Sequence, residues 1–198
     1  YKRQRPRMKL IILDRDGVIN HDRDDFVKSA DEWQPIDGSM DAIAFLTQAG
    51  YTIAVATNQS GIGRKLITVQ SLSEMHAKMH KLVHQAGGEI SGIWFCPHLP
   101  DHGCTCRKPK PGMVLDILER FQADAAETYL VGDSLRDLQA MAAAGGKSVL
   151  VKTGKGEKTL AEHADRLPEN TLIFDDLWAF SQFLAAAPET ETETPAEN

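Results

Sequence analysis

The sequence predicts an α/β fold, a Rossmann-like parallel sheet with helices on both faces. Short apolar segments rich in β-branched residues alternate along the chain with longer segments of helical periodicity. Such alternation is typical of parallel sheets, because each pair of parallel strands needs a crossover connection. With 198 residues, of which 42% are hydrophobic and 25% charged, the chain fits one globular domain with a sizeable core.

The first half of the chain shows the alternation clearly. An apolar run at 9–13 stops abruptly at Asp14, which predicts the first strand. Apolar residues then recur at helical spacing over 39–49 and Gly50 follows, so we expect a helix that ends there. The next strand is expected over 52–57.

The rest of the chain repeats this pattern. We expect helices over 69–86, 113–121, 135–144 and 176–187, and strands over 90–95, 128–131, 148–151 and 171–174. This order of elements predicts a sheet with both faces buried.

The two ends of the chain differ in composition from the rest. Residues 1–7 are basic and precede Met8, and we interpret them as an N-terminal extension rather than a secretory signal. Residues 188–198 are rich in Glu, Thr and Pro and have little to bury, so we expect a disordered acidic tail. The folded domain is then expected over 8–187.

The charge and hydropathy of the chain exclude some classes of partner. A formal net charge of −6 argues against a general nucleic-acid binder, which needs a basic surface to contact phosphates. No apolar run approaches the ~20 residues of a membrane span. We therefore expect a cytoplasmic protein that acts on a small molecule. Its modest size and the lack of an obvious apolar surface helix favour a monomer.

Polar side chains follow three of the predicted strands. Asp14 and Asp16 come after the first strand, residues 57–61 after the second, and Asp133 after the fourth. Ligands of open parallel sheets bind at the carboxyl ends of the strands, so these residues are candidates for one site. A solvated turn with two acids, or a loop that caps a helix, would also explain them individually.

Two further segments carry candidate residues. Arg107 and Lys108 precede a proline-stiffened loop and could contact an anion, although a solvated basic loop is the simpler interpretation. Asp133 or Ser134 could cap the helix that begins at Leu135, and Asp137 lies one helical turn later. Capping is compatible with metal binding.

All three cysteines of the chain fall in one short loop. Cys96, His98, Cys104 and Cys106 supply three thiolates and one imidazole, a set suited to a closed tetrahedral structural zinc site. An odd number of closely spaced cysteines is a poor disulfide framework. His102 lies in the same loop and is the competing imidazole ligand.

The order of these motifs resembles the four sequence motifs of the haloacid dehalogenase-like phosphatase superfamily. Asp-Arg-Asp-Gly-Val-Ile-Asn at 14–20, Thr-Asn-Gln-Ser-Gly at 57–61, Cys-Pro-His at 96–98 and Cys-Arg-Lys-Pro at 106–109 are similar to its histidinol-phosphate and heptose-bisphosphate phosphatase branch. The resemblance implies a capless haloacid dehalogenase-like fold with a zinc-binding loop over 96–106. Only about forty residues separate the first two motifs, which leaves no room for a large cap domain.

The resemblance also implies residue roles. Asp14 is expected to attack phosphorus and form an aspartyl-phosphate, while Asp16 protonates the leaving alcohol and then deprotonates water. Thr57 would donate a hydrogen bond to the phosphoryl group, and Lys108 would supply positive charge. Mg²⁺ would be held by Asp14, Asp133 and the backbone carbonyl of Asp16, since Mg²⁺ prefers oxygen ligands and substrate phosphate.

Without a large cap, substrate choice is expected to rest on the loops at 20–27 and 58–62, on the zinc-binding loop and on Arg107. The resemblance implies that the substrate is a sugar phosphate, D-glycero-D-manno-heptose 1,7-bisphosphate cleaved at its 7-phosphate, with histidinol phosphate as the alternative. A bisphosphate would give Arg107 a second anionic target. The expected substrate-binding residues are Asp22, Asn58, Gln59, Ser60, Arg107 and Lys108.

Two functions from other classes would share some of these features. A phospho-acceptor signalling domain would also place an acid pair after its first strand, but its phosphorylated aspartate is expected after the third strand, which here ends near Cys96. A zinc-based interaction module would explain the cysteine loop and leave the aspartates, Thr57 and Lys108 unexplained.

Overall fold

A computed structural model describes residues 8–186 and shows one six-stranded, fully parallel sheet in the order β3–β2–β1–β4–β5–β6. The expectations for residues 1–7 and 188–198, and for the end of the domain at residue 187, lie outside the described residues. The strands are β1 (Leu10–Leu13), β2 (Thr52–Asn58), β3 (Gly92–Cys96), β4 (Tyr129–Gly132), β5 (Lys147–Val151) and β6 (Leu172–Phe174).

Seven α-helices connect and follow these strands within the described residues. They are α1 (Ser39–Gln48), α2 (Ser60–Gly63), α3 (Val69–Gln85), α4 (Gly112–Phe121), α5 (Leu135–Ala143), α6 (Gly156–His163) and α7 (Leu177–Ala186). Two short 3₁₀ turns cover Ala125–Glu127 and Ala164–Arg166. No helix in this part of the chain is both long and apolar enough to span a bilayer.

The central strand β1 sends its side chains alternately into two apolar cores. Leu10 and Ile12 belong to the core beneath α4 and α5, whereas Ile11 and Leu13 belong to the core beneath α1, α3 and α7. All four side chains are fully buried, as expected for a strand of a doubly covered parallel sheet. The predicted α/β fold is therefore confirmed.

Most predicted element boundaries agree with the structure to within one or two residues. The expected strand over 90–95 instead begins at Gly92 and ends at Cys96, because β3 pairs with β2 from Ala54 to Asn58. The sequence analysis assigned no element to Gly156–His163, which forms α6, or to Ser60–Gly63, which forms α2. Residues 157–163 contain several good helix formers, so propensity alone could have indicated α6.

The sheet order places the polar loops of the first, second and fourth strands side by side. β1 lies between β2 and β4. From β1 the chain adds β2 and β3 on one side of the sheet and then β4, β5 and β6 on the other, so the strand order reverses at β1. Ligands of doubly wound sheets bind at such a switch point. Between β1 and β2 the fully described chain contains only a loop and α1, which confirms the capless arrangement.

Candidate active site

The side chain of Lys108 connects two of the aspartates at the carboxyl end of the sheet. Its ammonium lies 3.0 Å from Oδ1 of Asp14 and 2.6 Å from Oδ1 of Asp137, and it also donates to the backbone carbonyl of Ala56 at 2.7 Å. Lys108 is almost fully buried, so these three acceptors replace its water shell. The three contacts fix the position of its charge beside Asp14.

Asp137 is a site residue that the sequence analysis did not assign. It lies in the first turn of α5, where its Oδ2 accepts hydrogen bonds from the backbone N–H of Ser134 at 3.0 Å and from the Ser134 hydroxyl at 2.7 Å. Burial alone would raise the pKa of Asp137, but the charge and hydrogen bonds of Lys108 and Ser134 lower it below its usual value. Asp137 is therefore an anion that anchors Lys108. The sequence indicated its role only through its position one helical turn after Asp133.

The carboxylates of Asp14, Asp133 and Asp137 form one cluster. Each contributes an oxygen that lies within 4.8 Å of the others. Burial, followed by repulsion from Asp137, raises the pKa of Asp14 to about 7 and that of Asp133 to about 8. The site thus holds more negative charge than Lys108 offsets, and a hard divalent cation with oxygen ligands fits it. Since both oxygens of Asp137 are already bonded, Asp14 and Asp133 are the carboxylates with an oxygen left for Mg²⁺.

Asp133 is held by a segment that follows β5. Its Oδ2 accepts a hydrogen bond from the backbone N–H of Lys155 at 2.8 Å, directly before α6. Gly17 packs so closely that a Cβ atom there would lie 2.0 Å from the same oxygen, and its φ of +85° also favours glycine. The glycine of the first motif thus makes room for the Asp133 carboxylate of the fourth.

The carboxylate of Asp16 is surrounded by hydrogen-bond donors. Arg15 donates from Nη2 to both of its oxygens at 2.9 and 3.0 Å, Asn20 donates to Oδ1 at 2.9 Å, and Gln59 donates to Oδ2 at 2.8 Å. Burial would raise the pKa of Asp16, but the Arg15 charge and these hydrogen bonds together lower it. In this structure Asp16 is therefore held as a carboxylate.

The motif at the end of β2 contributes three side chains with different contacts. Thr57 is buried and its Oγ1 accepts a hydrogen bond from Gln59 Nε2 at 2.8 Å, which leaves the hydroxyl hydrogen to donate into the site. The amide of Asn58 donates to the Lys108 carbonyl at 3.0 Å and accepts from the Lys108 N–H at 3.1 Å. Asn58 thus holds the backbone of Lys108.

These residues line a cavity of about 320 Å³ at the carboxyl end of the sheet. Asp14, Asp16, Thr57 and Asp133 lie on its lining, together with the predicted substrate-binding residues Asp22, Asn58, Gln59, Ser60, Arg107 and Lys108. Four cations that sequence reasoning did not single out also line it: Arg23, Arg64, Arg136 and Lys155. Lys155 forms a 2.9 Å ion pair with Asp22. The cavity is therefore acidic near Asp14 and has several cations among its other lining residues.

The predicted zinc ligands converge on one point. Sγ of Cys96 lies 3.8 Å from Sγ of Cys104, 3.3 Å from Sγ of Cys106 and 3.5 Å from Nδ1 of His98. Two sulfurs bound to tetrahedral zinc at about 2.3 Å are about 3.8 Å apart, so the donor set fits zinc. Of the two candidate imidazoles, His98 belongs to this cluster. The centroid of the His102 ring lies 6.0 Å from the centroid of the His98 ring.

The zinc-binding loop is tied to the segment that carries Lys108. The guanidinium of Arg107 donates to the His98 carbonyl at 3.4 Å, and the ammonium of Lys110 donates to the Cys104 carbonyl at 2.8 Å. Burial raises the pKa of Cys104, but the backbone hydrogen bond from Arg107 and the neighbouring cysteines lower it to about 6. A low pKa favours the thiolate form that binds metal.

The sequence and the fold assign this chain to a known class of protein. A family model described as haloacid dehalogenase-like hydrolase matches residues 7–145, and the chain belongs to this hydrolase family. The membership agrees with the parallel sheet and with the aspartates, Thr57 and Lys108 at its carboxyl end. The predicted resemblance is thereby confirmed.

Individual relatives carry a more specific name. A protein of Neisseria meningitidis serogroup A, named D-glycero-beta-D-manno-heptose-1,7-bisphosphate 7-phosphatase, is 71% identical over 187 residues, covering 93% of this chain and 100% of the relative. A protein of Pseudomonas putida with the same name is 55% identical, covering 89% and 99%. The crystal structure of a D,D-heptose 1,7-bisphosphate phosphatase from B. bronchiseptica, complexed with magnesium and phosphate, superposes with a TM-score of 0.88 at 54% identity, covering 90% of this chain and 98% of that one.

Proposed function

We propose that this chain is a Mg²⁺-dependent phosphatase that removes the 7-phosphate of D-glycero-D-manno-heptose 1,7-bisphosphate through an aspartyl-phosphate on Asp14. The observation that carries the proposal is the position of Asp14, which faces the cavity between the Lys108 ammonium and the Asp133 carboxylate. The names of relatives that match nearly the whole chain at high identity support the choice of substrate.

Covalent catalysis by Asp14 follows from its environment. A carboxylate oxygen of Asp14 attacks phosphorus, the bond to the sugar oxygen breaks, and the aspartyl-phosphate is later hydrolysed. Mg²⁺ bound at Asp14 and Asp133 supplies positive charge that offsets repulsion between the carboxylates and the phosphate. The Thr57 hydroxyl and the Lys108 ammonium are placed to stabilise the charge that develops on the phosphoryl oxygens.

Asp16 is the proposed acid and base. Because Asp16 is a carboxylate in the free protein, it first takes up a proton from solvent. It then donates this proton to the departing sugar oxygen, and in the second step it accepts a proton from the attacking water. Its carboxylate is 21% exposed and lines the cavity, so a substrate can reach it. Arg15, Asn20 and Gln59 hold it two residues from the nucleophile.

The lining of the cavity supports a substrate with a second anionic group. Arg107 and Arg136 line both the main cavity and an adjoining one of about 250 Å³ beside the zinc-binding loop. Guanidinium groups contact phosphate through paired hydrogen bonds. Burial, followed by the nearby charge of Arg136, lowers the pKa of Arg107, while Cys96 and Cys104 raise it. The 1-phosphate of a heptose bisphosphate would add an anion between the two guanidinium groups.

A kinetic comparison tests the proposal. Phosphate release from D-glycero-D-manno-heptose 1,7-bisphosphate and from histidinol phosphate is measured with Mg²⁺ for the unaltered chain and for Asp14→Asn. We expect kcat/KM to favour the bisphosphate, because only this substrate places a second phosphate near Arg107. We expect Asp14→Asn to abolish release of phosphate from both. Equal or greater kcat/KM with histidinol phosphate would refute the substrate, and an active Asp14→Asn variant would refute the mechanism.

The same proposal includes the setting in which the chain acts. We propose that residues 8–187 act as a single domain, as a monomer, in the cytoplasm. The free thiols of the zinc cluster support a reducing compartment, because cysteines of this kind bind metal or stay reduced there. Sedimentation of the purified chain tests the monomer.

A further inference from the structure

Arg15 lies between two site aspartates in the sequence, but its side chain is buried inside the protein. Its side chain is 1% exposed, and it is not among the described residues that line the cavity. A guanidinium is rarely buried without a partner, because its desolvation is costly. Arg15 therefore acts on the site through another residue rather than on the substrate.

The partner of Arg15 is the carboxylate of Asp16. Nε and Nη2 of Arg15 lie 3.2 and 2.9 Å from Oδ1 of Asp16, and Nη2 lies 3.0 Å from Oδ2. Such a planar fork restrains the orientation of a carboxylate as well as its charge. Among the described residues, Asp16 lines the cavity and Arg15 does not.

His76 holds the other end of the guanidinium. Nη1 of Arg15 lies 3.3 Å from Nε2 of His76, and since arginine can only donate, this imidazole nitrogen is the acceptor. Burial, and next the charge of Arg15, lower the pKa of His76 to about 4, which keeps the imidazole neutral. His76 lies on α3, and its neighbours Met75 and Met79 are fully buried in the core, so α3 is a rigid support.

We infer that Arg15, held by His76, is a positioning residue that fixes the orientation of the Asp16 carboxylate towards the leaving group. The inference rests on the proposed function, because it presupposes that Asp16 protonates the sugar oxygen. A purely structural role for Arg15 would instead affect folding and the turnover of every substrate equally.

Leaving-group dependence separates these two roles. A sugar alkoxide is a poor leaving group and needs the proton of Asp16, whereas 4-nitrophenolate departs readily without one. The experiment measures kcat with the heptose bisphosphate and with 4-nitrophenyl phosphate, both with Mg²⁺, for Arg15→Met, Arg15→Lys and His76→Ala. Asp16→Asn provides the reference for a complete loss of acid catalysis.

Selective loss of turnover on the sugar phosphate is the expected result. For Arg15→Met we expect kcat to fall about 100-fold on the sugar phosphate and less than about 5-fold on the nitrophenyl ester, within the usual range for acid catalysis. Arg15→Lys should be almost as impaired, because an ammonium cannot reproduce the fork. For His76→Ala we expect a smaller but still selective fall of about 3- to 10-fold on the sugar phosphate, because only part of the acid catalysis is lost.

His80→Ala is the matched control, because His80 lies one turn further along α3 and is exposed. It should leave both rates unchanged. Should the Arg15 variants fail to fold, His76→Ala decides: an unselective or absent effect overturns the inference. Equal losses on both esters in the Arg15 variants would overturn it as well. If Asp16→Asn loses turnover selectively on the sugar phosphate but the Arg15 and His76 variants do not, only this inference fails. If Asp16→Asn itself is unselective, the proposed role of Asp16 fails.

Discussion

The ammonium of Lys108 lies closer to Asp137 than to the proposed nucleophile Asp14. Its distance is 2.6 Å to Oδ1 of Asp137 and 3.0 Å to Oδ1 of Asp14. Asp137 is 1% exposed and Lys108 2%, so neither charge is screened by water. Coulomb interactions are strongest in such a setting. Lys108 is thus anchored by one carboxylate and presented to another, which explains how a flexible side chain is kept in place for catalysis.

Replacing Asp137 with Asn should therefore affect both stability and turnover. Removal of one partner of a buried ion pair costs about 3–5 kcal/mol of unfolding free energy. We expect kcat to fall about 100-fold, since misplacement of a catalytic group by about 1 Å has an effect of that size. Urea denaturation and phosphate release measure the two effects. Asp116→Asn, at an exposed position of α4, should change stability by less than about 0.5 kcal/mol. A fully active Asp137→Asn variant would contradict the anchoring role.

The stabilising effect of Mg²⁺ should increase with pH. In the metal-free protein the pKa of Asp14 is raised from 3.8 to about 7 and that of Asp133 to about 8. The folded state then binds more protons than the unfolded state between about pH 4 and pH 8, so stability falls as the pH rises through this window. Mg²⁺ binds the deprotonated pair and relieves this loss.

Thermal unfolding with EDTA and with saturating Mg²⁺ measures this linkage. We expect Mg²⁺ at about 100 times its Kd to add about 2.7 kcal/mol at about pH 8. At 2–4 °C per kcal/mol, this is a rise in Tm of about 5–10 °C. At about pH 5, protonated carboxyls compete with the metal and the rise should be under about 2 °C. An equal rise at both pH values would show that Asp14 and Asp133 do not hold the metal.

Loss of zinc should impair turnover as well as stability. Cys106 directly precedes Arg107 and Lys108, so zinc at the cysteine cluster restrains the loop that presents them. We expect Cys104→Ala to lose zinc, measured by atomic absorption, and to reduce kcat/KM at least about tenfold, the usual cost of disturbing groups that position a site.

His102→Ala is the matched control for this experiment. His102 lies in the same loop and, among the described residues, is not part of the ligand cluster. The His102→Ala variant should therefore retain its bound zinc and its phosphatase activity. Full activity of a zinc-free Cys104→Ala protein would disprove the coupling, and zinc loss from His102→Ala would disprove the assignment of His98.

Gly17→Ala should weaken Mg²⁺ binding through steric contact with Asp133. The added methyl group would lie 2.0 Å from Oδ2 of Asp133, so that carboxylate must move. Gly50→Ala is the matched control, because Gly50 has almost the same φ, +84°, with no atom within 4 Å of the added methyl group. Both variants should lose about 1 kcal/mol of stability from the positive φ.

Titration calorimetry distinguishes the two glycine variants. We expect at least about a tenfold rise in the Kd for Mg²⁺ in Gly17→Ala, as is common when a neighbour of a metal ligand is disturbed. The affinity of Gly50→Ala should be unchanged. Equal metal affinities in the two variants would mean that Gly17 serves only the turn.

Much of the fold could be read from the pattern of apolar residues. The run at 9–13 and the helical spacing over 39–49 each gave an element close to its observed position, because burial on two faces leaves a strong periodic signature. Helix α6 was missed because its half-exposed sequence has a weak apolar pattern. Lys155, directly before this helix, nevertheless supports Asp133 through its backbone N–H.

The contribution of Asn58 also differs between sequence and structure. The sequence suggested a substrate contact, and this remains a prediction because Asn58 lines the cavity. The structure adds that both ends of its amide bind the backbone of Lys108, fifty residues away in the chain. A sequence motif does not encode such a contact, since it depends on how two loops meet.

The sequence by itself determined the alternating strands and helices, the acid pair after the first strand and the cysteine loop with its candidate metal ligands, because each is a local pattern of residue types. Only the tertiary structure decided that Asp137 anchors Lys108, that Arg15 faces inward to Asp16 and His76, and that Arg136 and Lys155 join the cavity lining. These relationships arise because parallel strands bring distant loops to one edge of the sheet, where burial makes each charge depend on its neighbours.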